Sequence, residues 1–312
     1  MYHALVTGAA GFIGSQLVAE LLNREYSVTG FDNLATGRPA RITPFQNEPN
    51  FTFVGGDLRE KDDIEDTLAD INIVFHQAAV PSVPRSVEKP LLTTKSNALG
   101  TTNLLVAARD AGVEKVVVAS SSSVYGSGGE LPKSETQPTN PESPYALSKY
   151  WTERLAVQFS DLYGLDTVAL RYFNIFGPGQ NPAGEYAAVI PKFIDRMQRG
   201  KRPVIYGDGE QSRDFTYVDN AVQANLKAAE STCTGEAMNV GNGGNTTINE
   251  LVDVLNGALG MDVEPRYNEQ RPGDVKHSYA DISKAKELIG YNPEVDFEKG
   301  IEKTVTWMQP SR

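Results

Sequence analysis

Residues 3–22 constrain the fold most. A short apolar stretch, His3-Ala-Leu-Val-Thr-Gly8, runs through Gly8-Ala-Ala-Gly11-Phe12-Ile13-Gly14 into a helical pattern marked by Leu17, Leu21 and Leu22. Strand, glycine turn and helix follow without a spacer. Gly8 and Gly11 let the backbone turn tightly and approach a pyrophosphate, Gly14 permits close helix packing, and the helix amino end attracts phosphate. A glycine turn alone is a weak signal. The next strand, Val28-Thr-Gly-Phe31, ends at Asp32, eighteen residues past Gly14, where a carboxylate can receive the adenosine ribose hydroxyls. Asp32 would repel a 2′-phosphate and no Arg or Lys follows before Arg38, so the spacing predicts NAD as cofactor, not NADP.

Alternation continues downstream. Residues 51–54 lead to Asp57-Leu58, placed to clamp an adenine, and 73–75 end in His76-Gln77-Ala78-Ala79. These segments sit at strand carboxyl ends, where open parallel sheets bind ligands. Strands at 115–119 and 167–171 alternate with helices at about 97–111 and 145–163, the first closed by Gly112. The rhythm predicts an α/β fold, a Rossmann-type doubly wound parallel sheet over residues 1–175 with returns near 214–240. After Phe176-Gly-Pro-Gly-Gln180 it weakens, which predicts a smaller α/β substrate-binding domain over 176–312.

Composition removes several function classes. Twenty-nine Lys and Arg against forty Asp and Glu give a net charge of -11, which disfavours nucleic acid and anionic membrane as partners. The single Cys233 excludes an intramolecular disulfide and reads as an ordinary packed thiol. The chain opens almost directly into its first strand, and no apolar run approaches the ~20 residues that cross a bilayer, so a cytoplasmic location is expected. His3, His76 and His277 are scattered, and no metal site is expected.

Tyr145-Ala-Leu-Ser-Lys149 and the serine run Ser120 to Ser123 carry the chemistry. Tyr and Lys four apart on a helix share a face, so an ammonium can favour the phenolate of a group whose ordinary pKa is about 10. A positively charged nicotinamide ring would add to that effect. Tyr-x-x-x-Lys also occurs on ordinary amphipathic helices. Here Ser143 can cap the helix, Pro144 suits its first turn, and Leu147, Trp151, Leu155 and Phe159 give it an apolar stripe. Serines at a strand end can merely satisfy turn backbone groups, but four in succession beside Tyr125-Gly point to a polar reaction site.

With Gly8-x-x-Gly11-x-x-Gly14, Asp32, His76-Gln-Ala-Ala, Ser121-Ser-Ser-Val-Tyr125-Gly, Tyr145-x-x-x-Lys149 and Arg171-Tyr-Phe-Asn174, the chain resembles the extended short-chain dehydrogenase/reductases end to end. Within them it is most similar to nucleotide-sugar C4 epimerases, in the branch acting on UDP-N-acetylglucosamine and UDP-N-acetylgalactosamine. Ser82-Val-Pro-Arg85-Ser86, Tyr186-Ala-Ala-Val-Ile-Pro191, Gly207-Asp-Gly-Glu-Gln-Ser-Arg213 and Arg271-Pro-Gly-Asp-Val-Lys-His-Ser278 carry that closer match.

The resemblance implies that Tyr145 takes the proton of the sugar 4-hydroxyl, Lys149 tunes it and binds the nicotinamide ribose, and Ser121 shares the proton. Ser122 and Ser123 would line the same pocket. Phe12, Ile13, Asn33, Gly37, Asn97 and Tyr172 would join the cofactor shell. Asn174, Arg213 and Arg271 would hold the UDP diphosphate, since planar guanidinium groups match phosphate oxygens. Ser82, Arg85, Gln180, Ala188, Val189 and Tyr206 would complete the substrate site. Small Ser278, near Ala187 and Ala188, would admit an N-acetyl group that an aromatic residue excludes. Pro81 before Ser82 removes one amide donor from that loop. NAD, a UDP-sugar and a homodimer formed through a helix bundle are the implied partners. A UDP-glucuronate 4-epimerase and a non-catalytic NAD-sensing protein remain the alternatives.

Overall fold

A computed structural model of the chain describes residues 2–183, 187–270 and 275–309. In chain order, β1 (His3–Thr7), α1 (Phe12–Asn23), β2 (Ser27–Asp32), β3 (Phe51–Gly55), α2 (Lys61–Glu65), β4 (Ile73–His76), α3 (Val83–Glu88) and α4 (Pro90–Thr93) come first. Next come α5 (Gly100–Asp110), β5 (Lys115–Ser121), α6 (Pro144–Tyr163), β6 (Asp166–Tyr172), β7 (Ile175–Phe176), α7 (Val189–Gln198), β8 (Val204–Tyr206), β9 (Ser212–Arg213) and β10 (Thr216–Tyr217). The chain closes with α8 (Val218–Glu230), β11 (Glu236–Val240), β12 (Thr246–Thr247), α9 (Ile248–Leu259), β13 (Arg266–Asn268), β14 (His277–Ser278), α10 (Ser283–Ile289) and α11 (Phe297–Met308).

Seven strands form one parallel sheet in the order β11-β6-β5-β4-β1-β2-β3. The order reverses between β1 and β4, the switch point at which doubly wound sheets bind ligands. Both faces are covered, which is why the strands read as continuous apolar runs. Leu17 and Leu21 of α1, Ala221 of α8 and Ile289 of α10 pack on one face. Ile64 of α2, Leu104 and Leu105 of α5 and Ala156 and Phe159 of α6 pack on the other.

A second core lies beyond the carboxyl edge. Phe193 and Met197 of α7, Leu251 of α9 and Ile301 of α11 surround an aromatic group in which Phe176 meets Tyr217 and Phe297 edge-on. The short pairs β7–β10 and β8–β13 and the three-stranded β12-β9-β14 connect this lobe to the sheet edge. Among the described residues no helix is long and apolar enough to cross a membrane.

Two expectations change. The helix expected from about residue 97 begins at Pro90, passes through a wide π turn at Thr94–Leu99 and only then becomes α5. Pro90 is a natural helix opener, and the wider turn brings Asn97 inward to full burial. The expected apolar stripe of α6 divides: Phe159 is buried in the sheet's core and Leu155 packs against it, whereas Leu147 and Trp151 are 57% and 51% exposed. The buried face carries Ala146, Ser148, Lys149, Thr152, Glu153, Ala156 and Phe159.

Candidate active site

The glycine turn is shaped by contacts that admit no side chain. A Cβ on Gly8, which has φ +70°, would lie 2.7 Å from the Ala78 amide nitrogen, and one on Gly14 would strike the Gly8 carbonyl oxygen. Gly37 is tight as well, since its Cβ would sit 2.9 Å from the Asp32 carboxylate. Phe12 and Ile13 pack beneath the turn against the cores.

Asp32 ends β2 almost buried. Its two oxygens accept the Ala10 amide at 3.0 Å and the Leu34 amide at 2.7 Å, leaving lone pairs for two ribose hydroxyls. Burial raises its pKa while those amides and Arg41 oppose the rise. Asp57 accepts from Asn33 at 2.9 Å and from Arg59, whose guanidinium holds its carboxyl well below the usual range.

These groups open onto a cavity of about 150 Å³, walled also by Leu58, Gln77, Ala78 and Ala79. Gln77 is oriented from behind by Asn225 at 2.9 Å and by the Tyr172 hydroxyl at 3.2 Å. Burial pushes Tyr172 up to about 12, so it serves as a neutral hydroxyl. His76 is likewise held neutral, down to about 3 through burial and the Lys149 charge, between Thr7 and Thr101.

Ser121 ends β5 and Tyr145 opens α6, whose amino end is capped by Ser143. Ser121 Oγ accepts both the Ser123 amide at 3.2 Å and the Ser123 hydroxyl at 2.9 Å. Those acceptances fill its lone pairs, so its own proton is left to donate, and it is directed at the Tyr145 phenol. Ser122 and Ser123 enter a short 3-10 turn, Ser122–Tyr125, and Ser123 therefore orients Ser121.

Lys149 is buried, donates to the Ala119 carbonyl at 2.8 Å, and is brought down to about 8 by burial. Burial raises the Tyr145 phenol, and only the Ser121 hydroxyl opposes it. The share of the downward shift expected from the Lys149 ammonium is not seen, because the packed surroundings desolvate both groups; the share expected from a positively charged nicotinamide ring is left to the bound cofactor. Asn97 ties the pieces together, accepting the Val80 amide at 2.8 Å and donating to Ser148 of α6 at 3.0 Å.

A second cavity, of about 280 Å³, lies across the sheet edge. Asn174, Ala188, Val189, Tyr206 and Arg213 line it, joined by Gln211, Phe193 and Phe215, which sequence reasoning passed over. Phe193 is spaced as a core residue of α7, and only proximity to the 187–191 segment could have marked it. Ser278 pairs with Arg213 in register between β14 and β9. Gln180 donates to the Ile175 carbonyl at 2.9 Å, while its side-chain oxygen is buried without a partner. Ser82 caps α3 by accepting the Arg85 amide at 3.3 Å.

Arg85 itself does not reach the second cavity. It lines the first one, beside the glycine turn. Arg271 and Tyr186 lie outside the described residues.

A family profile matches residues 4–241, across the glycine turn, Asp32, Ser121, Tyr145 and Lys149, and its description is the NAD dependent epimerase/dehydratase family. The chain belongs to that family. NAD is therefore the cofactor of this epimerase/dehydratase cleft, and the glycine cradle and the free lone pairs of Asp32 fit it. Among curated relatives, a putative UDP-glucose 4-epimerase of Methanocaldococcus jannaschii is 43% identical over 307 residues, covering 98% of each chain. A solved UDP-N-acetylglucosamine 4-epimerase from Methanobrevibacter ruminantium M1, in complex with UDP-N-acetylmuramic acid, is 43% identical. It covers 98% of this chain and 97% of its own, with a TM-score of 0.94. A Bacillus cereus UDP-glucuronic acid 4-epimerase, solved with UDP-glucuronic acid and NAD, is 33% identical with 98% coverage of both chains and a TM-score of 0.89.

Proposed function

We propose that this protein is an NAD-dependent UDP-sugar 4-epimerase, interconverting UDP-N-acetylglucosamine with UDP-N-acetylgalactosamine and also accepting UDP-glucose and UDP-galactose. The observation that carries the reading is the position of Ser121. It ends β5, the strand between β4 at the cofactor cavity and β6, after which Asn174 opens the second cavity. A sugar tethered in the second cavity would present its C4 beside Ser121 and Tyr145.

In this reading residues 1–175, with returns near 214–240, hold the cofactor and 176–312 hold the substrate. Asn174 and Arg213 bind the UDP diphosphate, with Arg271 as a further candidate guanidinium. Tyr145 takes the proton from the 4-hydroxyl and later returns it to the opposite face. Ser121, its lone pairs filled by Ser123, donates a hydrogen bond to that oxygen while keeping its proton. Lys149 keeps ammonium donors beyond the one given to Ala119 and directs them to the nicotinamide ribose. NAD, when bound, supplies hydride acceptance and return, and its ring charge stabilises the phenolate that the polypeptide alone disfavours.

The preference for N-acetylated sugars rests on two features. Ser278 is small and sits level with Arg213, and the buried Gln180 oxygen needs a donor that an acetamido N–H can supply. A UDP-glucuronate substrate is the second reading, favoured by Arg213 as a partner for a sugar carboxylate. An idle NAD-binding protein is disfavoured by the intact Ser121, Tyr145 and Lys149.

The protein acts as a homodimer in this proposal. Val87, Leu91, Leu99, Leu147 and Trp151 stand exposed on the helical segment around α3 to α5 and on α6, an apolar area suited to a helix bundle with a second copy.

The test is interconversion of each UDP-sugar pair by purified protein without added reductant. Turnover fastest with UDP-N-acetylglucosamine supports the reading. NAD bound with no turnover of any pair overturns it.

A further inference from the structure

We propose that Arg85 is a cofactor-binding residue: its guanidinium contacts the pyrophosphate of the bound dinucleotide, and it takes no part in holding the UDP-sugar. The proposal rests on the assignment of NAD to the cleft and is independent of which sugar the protein epimerises.

The first observation is location. Arg85 projects from α3 into the wall of the cavity that also holds Gly8, Gly11 and Ala78, the backbone that approaches a pyrophosphate. The second is charge. The cavity wall carries the carboxylates of Asp32 and Asp57 and two cations, Arg59 and Arg85. Arg59 is committed to Asp57, with its Nη2 2.5 Å from the carboxylate and its Nε 2.9 and 3.1 Å from the two oxygens. Arg85 has no side-chain partner among the described residues. A dinucleotide brings two further negative charges into this acidic wall, and Arg85 is the uncommitted guanidinium there to meet them.

The third observation is how firmly Arg85 is presented. Ser82 has φ +105°, a conformation that L residues rarely adopt and that surroundings must hold in place. Its hydroxyl accepts the Arg85 amide, and Pro81 and Pro84 stiffen the approach to α3. Backbone strain kept at the foot of a half-buried arginine facing the cleft is what a preset ligand contact requires. The neighbouring Val80 is fixed by Asn97, so the strand end and α3 are anchored to α6 as one unit.

Release of bound NAD from the purified holoprotein tests this directly, with UDP affinity measured in parallel and thermal unfolding as the folding check. Arg85→Gln should release NAD about 10- to 100-fold faster, the range of one charge-assisted hydrogen bond. Arg85→Lys, which keeps the charge without the fork, should fall between. UDP binding should stay within about twofold in both variants, and ADP-ribose should be weakened with NAD while adenosine is not. Unchanged NAD release with weakened UDP would overturn the proposal, as would an equal loss of adenosine and ADP-ribose. A loss of NAD in Arg85→Lys as deep as in Arg85→Gln, with lowered thermal stability in both, would also count against it, since that is the mark of lost packing.

Discussion

Lys149 Nζ donates to the Ala119 carbonyl oxygen at 2.8 Å, fastening α6 to the carboxyl end of β5 two residues before Ser121. The bond fixes the ammonium in a buried place, so the charge proposed to serve the nicotinamide ribose is held at a cost to folding.

That cost depends on pH. Burial lowers Lys149 from 10.5 to about 8, so between those values the unfolded chain binds more protons than the folded one. Stability contributed at this site therefore rises with pH from about 8 to 10.5 and is lowest below 8, by about 3 kcal/mol. Urea unfolding of the cofactor-free protein at pH 7 and pH 10 should show Lys149→Met ahead of the wild type at pH 7 and the advantage shrinking at pH 10. An advantage independent of pH would contradict the assignment.

One turn further along α6, Glu153 accepts Arg171 through both oxygens at 2.6 and 2.8 Å and also takes the Ser120 hydroxyl at 2.9 Å. Both charges are buried. Arg171→Met should lose about 3–5 kcal/mol, because it strands the carboxylate, and Glu153→Met with Arg171→Met should recover much of that loss. Chemical denaturation of the single and double variants checks the order.

Sequence patterning made the seven-stranded sheet legible because period and glycine placement follow from the backbone alone. It marked Tyr145, Lys149 and Ser121 as candidates because each stands in a short local motif. It could not say which way the stripe of Leu147 and Trp151 faces, since an apolar face fits a partner chain as well as its own core. The Asp32 site was readable, but not Arg41, which bridges the Ala10 carbonyl at 3.0 Å and the Gly179 carbonyl at 2.5 Å across 138 residues of chain. Arg85, expected at the substrate, lines the cofactor cavity; the Ser82 turn at its foot has φ +105°, and no periodicity reveals a positive φ. The rise of Tyr145 by burial was equally hidden, because desolvation is a property of the packed interior.

The exposed stripe yields its own expectation. Leu147→Glu with Trp151→Glu should produce a monomer that keeps its helical content, because both side chains face away from the core. Sedimentation velocity distinguishes this from a wild-type dimer, and a wild-type monomer at micromolar concentration would contradict the proposed bundle.

In the proposed function, substrate breadth turns on Ser278. Ser278→Tyr should depress turnover of UDP-N-acetylglucosamine by roughly 100-fold while leaving UDP-glucose within a few-fold, the scale at which filled volume discriminates substrates. Equal losses on both sugars would show that the position acts through Arg213, its register partner, and not through pocket volume.

Asp214 offers a test of how the substrate strands are held. Its buried carboxylate, raised to about 6 by desolvation, accepts the amides of Asn242, Gly243 and Ala280 at 2.7, 3.1 and 3.2 Å. Asp214→Asn should lower stability by about 1–3 kcal/mol, since an amide cannot accept at both positions, and should weaken UDP binding through β14, whose Ser278 carbonyl accepts the Asp214 amide at 2.9 Å. Thermal unfolding and UDP titration read both effects.

The most direct test of the central claim follows deuterium at C4. UDP-N-acetylglucosamine carrying deuterium on C4 is incubated with purified protein in ordinary water without added reductant. Product UDP-N-acetylgalactosamine keeping the deuterium on C4 is the expected result, with Tyr145→Phe retaining NAD but forming no product. Product that has exchanged its label for solvent hydrogen, or full activity in Tyr145→Phe, would contradict the account.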